Sequence, residues 1–253
     1  MKVAAKVILR GGLLVGCAVI GLSFWKFYQN QNSGISSREQ ADSQPDPKRY
    51  KILVEELERW HRDLSEQYRT ATSIQKAAVE KDARLILELI FPEMMRCWLG
   101  TPYDFNGTAE SPGDGKIACG YFVSTLIRDA GFQVNRYQLA QQPAENILRT
   151  FLPANQLSLQ VDAPYPAYAD SIESMDEGIY LIGLDTHVGF IVKRPDGFRF
   201  IHASGSKPWA VVEESRETAS AIRTSKWRMI GCLTSNTSVL RKWLNREQVT
   251  VQK

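Results

Sequence analysis

Three short apolar runs constrain the fold more than anything else in this chain. They are EGIYLIGL (177–184), THVGFIV (186–192) and FRFIHAS (198–204). Each is rich in β-branched and aromatic residues, which suit a pleated, half-buried surface, and each reads as a strand. Between the last two, RPDG at 194–197 places Pro and Gly where tight turns favour them. A hairpin is expected, and it brings His187 and His202 close together. An even loop of two or four residues sets both on one face as diagonal neighbours, about 7 Å apart at the backbone. A three-residue Pro-Asp-Gly loop sets them on opposite faces unless a bulge intervenes. Local turn preference leans to the second outcome; a working histidine pair needs the first, and the first is expected.

A partner for those rings stands earlier in the chain. KIACGYFVSTLIRDAGF (116–132) keeps helical spacing through Phe122, Leu126, Ile127 and Ala130, with Gly131 placed to close the helix. Cys119 then lies in the first turn, where unpaired N–H groups and the positive end of the helix dipole favour a thiolate. The same N–H groups can receive oxyanion charge. Four cysteines stand at 17, 97, 119 and 232, with no Cys-x-x-Cys pair and no Cys/His cluster, so neither a structural metal site nor a disulfide framework is expected. A single Cys97–Cys232 bridge stays open. His61, beside Trp60 on a helix, has no second candidate ligand near it and reads as a packing residue.

WLGTPYDFNG, ACGYFVSTLIRDAGF, THVGFIV and FIHAS, in that order, resemble the NlpC/P60 cysteine peptidases over roughly residues 83–235. The resemblance implies an α+β, papain-like fold with the cysteine helix packed on an antiparallel sheet. It implies Cys119 as nucleophile, His187 as general base and His202 as the orienting third residue. It also implies substrate binding at Tyr103 and Gly120, with no cofactor and no metal. SKWRMIGC (225–232) is similar to the family's closing strand. One departure stands beside the nucleophile: the family's Asp-Cys-Ser reads Ala118-Cys119-Gly120 here. In murein-cleaving members that Asp holds the substrate's free amine. Ala118 cannot, so the departure touches the substrate more than the chemistry. The residue types carry a thiol mechanism, in which His187 takes the thiol proton and favours a thiolate–imidazolium pair.

The chain of 253 residues divides by composition. VILRGGLLVGCAVIGLSFW (7–25) is apolar apart from Arg10, just long enough to span a bilayer, and Lys2, Lys6 and Arg10 put its N-terminus in the cytoplasm. Residues 1–29 are thus expected to be an uncleaved single-pass inner-membrane anchor, with the rest on the periplasmic side. Rival readings are a cleaved signal segment and a lipoprotein box, LVGC, acylated at Cys17. Residues 30–48 form a polar tether and 49–82 a helical arm. A catalytic domain occupies 83–236, and 237–253 a final helix and tail. One helical face is expected from Leu53 to Ala78, a kink or restart at Pro92, and an inserted segment at 137–176 whose APYPAY either rims the substrate groove or packs on itself. The formal net charge of +3, with no Lys/Arg run, argues against nucleic acid.

The expected activity is cleavage of peptide or amide bonds, with cell-wall peptides as one substrate class. The rivals are a non-catalytic binding module on the same fold and an acyl or amide transferase.

Overall fold

The computed structural model describes residues 44–253. The expected anchor, Cys17 and most of the tether lie outside the described residues. Among the described residues no helix is long and apolar enough to cross a membrane.

Helix α1 (Pro47–Thr70) starts on Asp46, whose carboxylate accepts the Arg49 N–H at 2.9 Å, with proline in the first turn where no N–H is needed. The single apolar face expected to run on to Ala78 stops here. Thr72 and Gln75 form a capping box, the Thr72 backbone N–H donating to Gln75 Oε1 at 2.9 Å. That box starts α2 (Ser73–Arg96) in the opposite direction and leaves Ile74 exposed. The two helices pair as a hairpin, tied at one end by Asp46 N–H to Cys97 O (2.8 Å) and at the other by Tyr68 Oη to Glu80 (2.8 Å). Pro92 does not interrupt α2. A proline here strips Glu88 O of its i+4 donor, and the Arg194 guanidinium donates to that carbonyl instead.

Beyond an irregular segment comes α3 (Cys119–Asp129), with Phe122, Val123, Leu126 and Ile127 on its buried side. The segment read as an insertion builds two short helices, α4 (Arg136–Ala140) and α5 (Ala144–Phe151), then β2 (Ser158–Val161) and α6 (Tyr165–Glu173). A two-residue strand, β1 (Gln133–Val134), precedes them. The remaining elements are β3 (Gly178–Leu184), β4 (Val188–Arg194), β5 (Gly197–Ala203), β6 (Val211–Ser215), α7 (Ser220–Thr224), β7 (Trp227–Cys232), α8 (Thr237–Leu244) and β8 (Gln248–Val249). β1 and β8 pair in parallel; the other six strands form one antiparallel sheet in the order β2-β7-β3-β4-β5-β6.

Strand alternation then assigns each face. Phe190 points to the side of α2 and α3, meeting Phe91 (ring centroids 5.3 Å) and Phe122 (6.1 Å) edge-on. Its neighbour Ile191 points the other way, into a cluster with Phe198 and Phe200 closed by Tyr168, Ala169 and Ile172 of α6 and Ile222 of α7. The aromatics of APYPAY therefore seal the sheet's second face: Tyr168 is fully buried beneath the Arg228 guanidinium, and Tyr165 donates to Arg216 O. The last helix docks back on the arm. His61 is fully buried, its Nε2 2.7 Å from Trp243 O and its ring stacked 3.8 Å from the Trp243 indole. The arm, the sheet and this last helix make one compact unit, 44–253, and α2 runs unbroken through residue 82.

Candidate active site

The β4–β5 hairpin closes with Arg194 opposite Gly197, a two-residue loop of Pro195 and Asp196. The even loop puts His187 and His202 on one face. His187 Nε2 lies 2.7 Å from His202 Nδ1, with the rings at 82°. The recorded β4–β5 pairing ends at Phe190–Ile201, and the next step sets Gly189 opposite His202. A β-carbon at 189 would stand 2.9 Å from His202 Cβ and 2.7 Å from Phe200 Cε2. Only glycine leaves the room the second ring occupies. Phe200 stacks on the His202 ring at 4.0 Å and holds its plane.

Behind His202 the pattern repeats one strand further. His202 pairs with Val212 and Phe200 with Glu214, so Glu214 is His202's diagonal neighbour on the same face. His202 Nε2 lies 2.9 Å from Glu214 Oε2. A line of three side chains, His187–His202–Glu214, runs from the residue before β4 across β5 to β6. The adjacent Glu213 points to the opposite face and pairs with Arg96 at 2.8 Å. Sequence reasoning missed Glu214. The signal available was VVEES, where strand alternation must send two adjacent glutamates to opposite faces.

Cys119 opens α3 without a side-chain cap, since Ala118 holds the N-cap position. The thiol is half-buried. Burial pushes its pKa up, against the backbone N–H groups of Val188, Gly120 and Cys119 itself, which favour the thiolate. Val188 follows His187 directly, so the sulfur lies beside the backbone at the start of β4, next in sequence to the histidine. Neither imidazole hydrogen-bonds to the sulfur in this arrangement. Tyr103 lies beside it: its hydroxyl is pushed up by burial and then by the neighbouring Cys119, and a β-carbon on Gly205 would touch its ring at 3.3 Å. Trp209, half exposed and at a φ of 59°, stands 6.3 Å from the Tyr103 ring and was not anticipated. Gly120 is buried against α4, where any side chain would strike Ala140 O, and it faces the sulfur only through its N–H.

The other two thiols among the described residues are free. Cys97 is buried and pushed up to about 12 by desolvation; Cys232 accepts the Ser235 N–H at 3.4 Å. A Cys97–Cys232 bridge is not formed. Among the described residues no three His, Cys, Asp or Glu side chains gather as a metal site.

Burial drives the site toward neutral partners. His202 falls to about 3 through desolvation, and His187 to about 3 through desolvation and then the nearby His202. Glu214 rises to about 7, again through burial. Burial thus favours a protonated Cys119 thiol and two neutral imidazoles, rather than the thiolate–imidazolium pair that the helix start alone suggests. His61 falls to about 4 by burial, so all three histidines are depressed from 6.5. Below 6.5 the unfolded chain binds protons that the folded chain refuses. Stability is present above that value and is lost as pH falls toward 4 and 3. Glu214, raised from 4.5, has the opposite sign up to about 7, but it is one group against three. The melting temperature is expected to fall steadily between about pH 6.5 and about pH 4, read by circular dichroism; a flat profile overturns the burial argument.

Comparison with protein-family models, with curated proteins and with solved structures returned no match.

Proposed function

We propose that this protein is a cysteine hydrolase of the papain-like, NlpC/P60 type, tethered to the inner membrane by residues 1–29 and cleaving amide or ester bonds on the periplasmic side. One observation carries the reading. A cysteine at a helix start has its sulfur beside the amide of Val188, and Val188 directly follows one member of a hydrogen-bonded histidine pair far away in sequence. That neighbourhood supports reading Cys119 as nucleophile, His187 as base and His202 as the group that orients the base.

In this mechanism His187 accepts the Cys119 proton as the sulfur attacks the carbonyl carbon. The charge developing on the carbonyl oxygen is received by backbone N–H groups at the start of α3. The imidazolium forms only at this stage, steadied by His202. It then protonates the leaving group, and water activated by the same ring releases the acyl group. Tyr103 and the half-exposed Trp209 supply an aromatic wall beside the sulfur. With Ala118 in place of an acid, the residue before the nucleophile cannot hold a free amine. The substrate class is acyl compounds and peptides recognised by shape and apolar contact, cell-wall peptides included.

The test is alkylation of the full chain by iodoacetamide near neutral pH, mapped by mass spectrometry. Cys119 is expected to react at least about tenfold faster than Cys97, and to lose that advantage in His187→Ala. Equal reactivity of Cys119 and Cys97 favours a non-catalytic module. Turnover on a peptide and murein-fragment panel must vanish in Cys119→Ala; turnover that survives refutes the mechanism.

A further inference from the structure

The thiol mechanism requires more of His187 than proximity. One of its ring nitrogens must carry a lone pair when the thiol arrives, and a neutral imidazole has only one such nitrogen. His187 Nε2 is held against His202 Nδ1 at 2.7 Å, and His202 Nε2 against Glu214 Oε2 at 2.9 Å. Each contact needs one donor and one acceptor, so the three groups share a single direction of donation.

We propose that Glu214 is a positioning residue that sets this direction, fixing the protons on Nε2 of both rings and leaving Nδ1 of His187 as the acceptor for the Cys119 proton. The inference rests on the hydrolase reading above and adds a fourth residue to it. An ionised Glu214 can only accept, so His202 must donate through Nε2–H. Its Nδ1 is then a lone pair and accepts from His187 Nε2–H. That leaves His187 Nδ1 unprotonated, and it makes no other hydrogen bond among the described residues. When Glu214 gains one proton, every donor reverses. The carboxyl O–H donates to His202 Nε2, His202 Nδ1–H donates to His187 Nε2, and His187 Nδ1 carries the remaining proton. Both hydrogen bonds survive, but the base is closed.

The groups facing Glu214 decide where the reversal falls. They are His202 on β5, the Ser220 N–H at the start of α7, and Tyr165 on α6, with the Arg223 guanidinium of α7 4.6 Å from the Tyr165 ring. Burial outweighs the Ser220 N–H and holds the carboxyl at about 7. The reversal thus sits near neutral pH, where small changes in acidity open or close the base. Glu214 touches neither sulfur nor substrate, and its effect passes wholly through His202.

Two measurements on the full-length chain test this. The first is 15N NMR of the three imidazoles. At about pH 8 both His187 and His202 are expected to carry the proton on Nε2, and at about pH 6 on Nδ1. A His187 protonated on Nδ1 at about pH 8 overturns the assignment. The second is the pH profile of Cys119 alkylation by iodoacetamide. The wild type is expected to show a limb with a midpoint near 7, which Glu214→Asp shifts and Glu214→Gln abolishes, with a loss of about tenfold on the alkaline side. A folded Glu214→Gln protein that keeps the wild-type limb overturns the assignment. If Cys119 labelling ignores His187→Ala, the hydrolase reading fails on its own, because the tautomer measurement still decides the role of Glu214.

Discussion

Valine at position 189 is expected to lower Cys119-dependent turnover about a thousandfold while leaving a folded protein. The added β-carbon meets Phe200 Cε2 at 2.7 Å, His202 Cβ at 2.9 Å and Ile201 O at 3.1 Å. None of these is the free end of a flexible chain. Phe200 is fully buried in the cluster under α6, Ile201 O belongs to the ladder, and His202 is only 2% exposed. Overpacking of this kind costs about 1–3 kcal/mol, which a chain of this size can absorb. On the proposed mechanism catalysis cannot absorb it, because the atom pushed aside is the root of the ring assigned to orient the base. Once His202 leaves Phe200, His187 loses its Nε2 partner and with it a fixed ring direction. Alanine, which carries only the β-carbon, is expected to cost less than valine in both respects. Thermal melts and turnover on the same samples check this. A folded Gly189→Val protein with wild-type turnover would mean that the histidine pair plays no part in the chemistry.

The same glycine shows how far sequence reaches. Strand character in THVGFIV and FRFIHAS was legible because β-branched and aromatic residues are dense there and RPDG lies between them. Which face each histidine took was not legible. It depends on whether two or three residues leave the ladder at the turn, and pairing of Arg194 with Gly197 settles that against local preference, because the strands are buried on both sides. The cysteine helix was legible from period alone. The end of α1 was not: its apolar spacing runs on through Ile74, and only the Thr72–Gln75 box marks the reversal. Pro92 misleads for a related reason. Its helix-breaking effect is offset by a guanidinium from β4, over a hundred residues away, which no local window contains. Glu214 is hidden in the same way, since a carboxylate on a short edge strand acquires a role only when the neighbouring strand brings a histidine beside it.

Arg136 is the most consequential residue that sequence reasoning passed over, and removing it is expected to cost the most stability. Its side chain is 3% exposed yet uses every edge of the guanidinium. Nε donates to Thr125 Oγ1 at 2.6 Å, Nη1 to Glu110 at 2.7 Å, and Nη2 to the carbonyls of Thr108 (3.0 Å) and Ala109 (2.8 Å). Tyr121 and Tyr137 flank it, with ring centroids 4.9 and 5.2 Å from the guanidinium carbon. One residue of α4 thus ties α3 to the irregular segment that carries Tyr103 and Ala118, and that segment in turn holds the helix start through Ala118 N–H to Gly107 O at 2.9 Å. Methionine matches the length and apolar bulk but strands the carbonyls of Thr108 and Ala109, while Glu110 keeps Arg128 at 2.9 Å and the Tyr137 hydroxyl at 3.0 Å. Leaving two buried carbonyls without their donors costs about 2–5 kcal/mol, or roughly 10 °C in melting temperature for a chain of this size. Lysine keeps the charge without the planar fork, so it is expected to recover only part of the loss. Turnover in Arg136→Met should fall even below the melting transition, because the loosened segment bears on Cys119 and Tyr103 together. If the lysine variant melts with the wild type, the charge alone suffices, and the forked geometry is not what holds the Cys119 end of the helix in place.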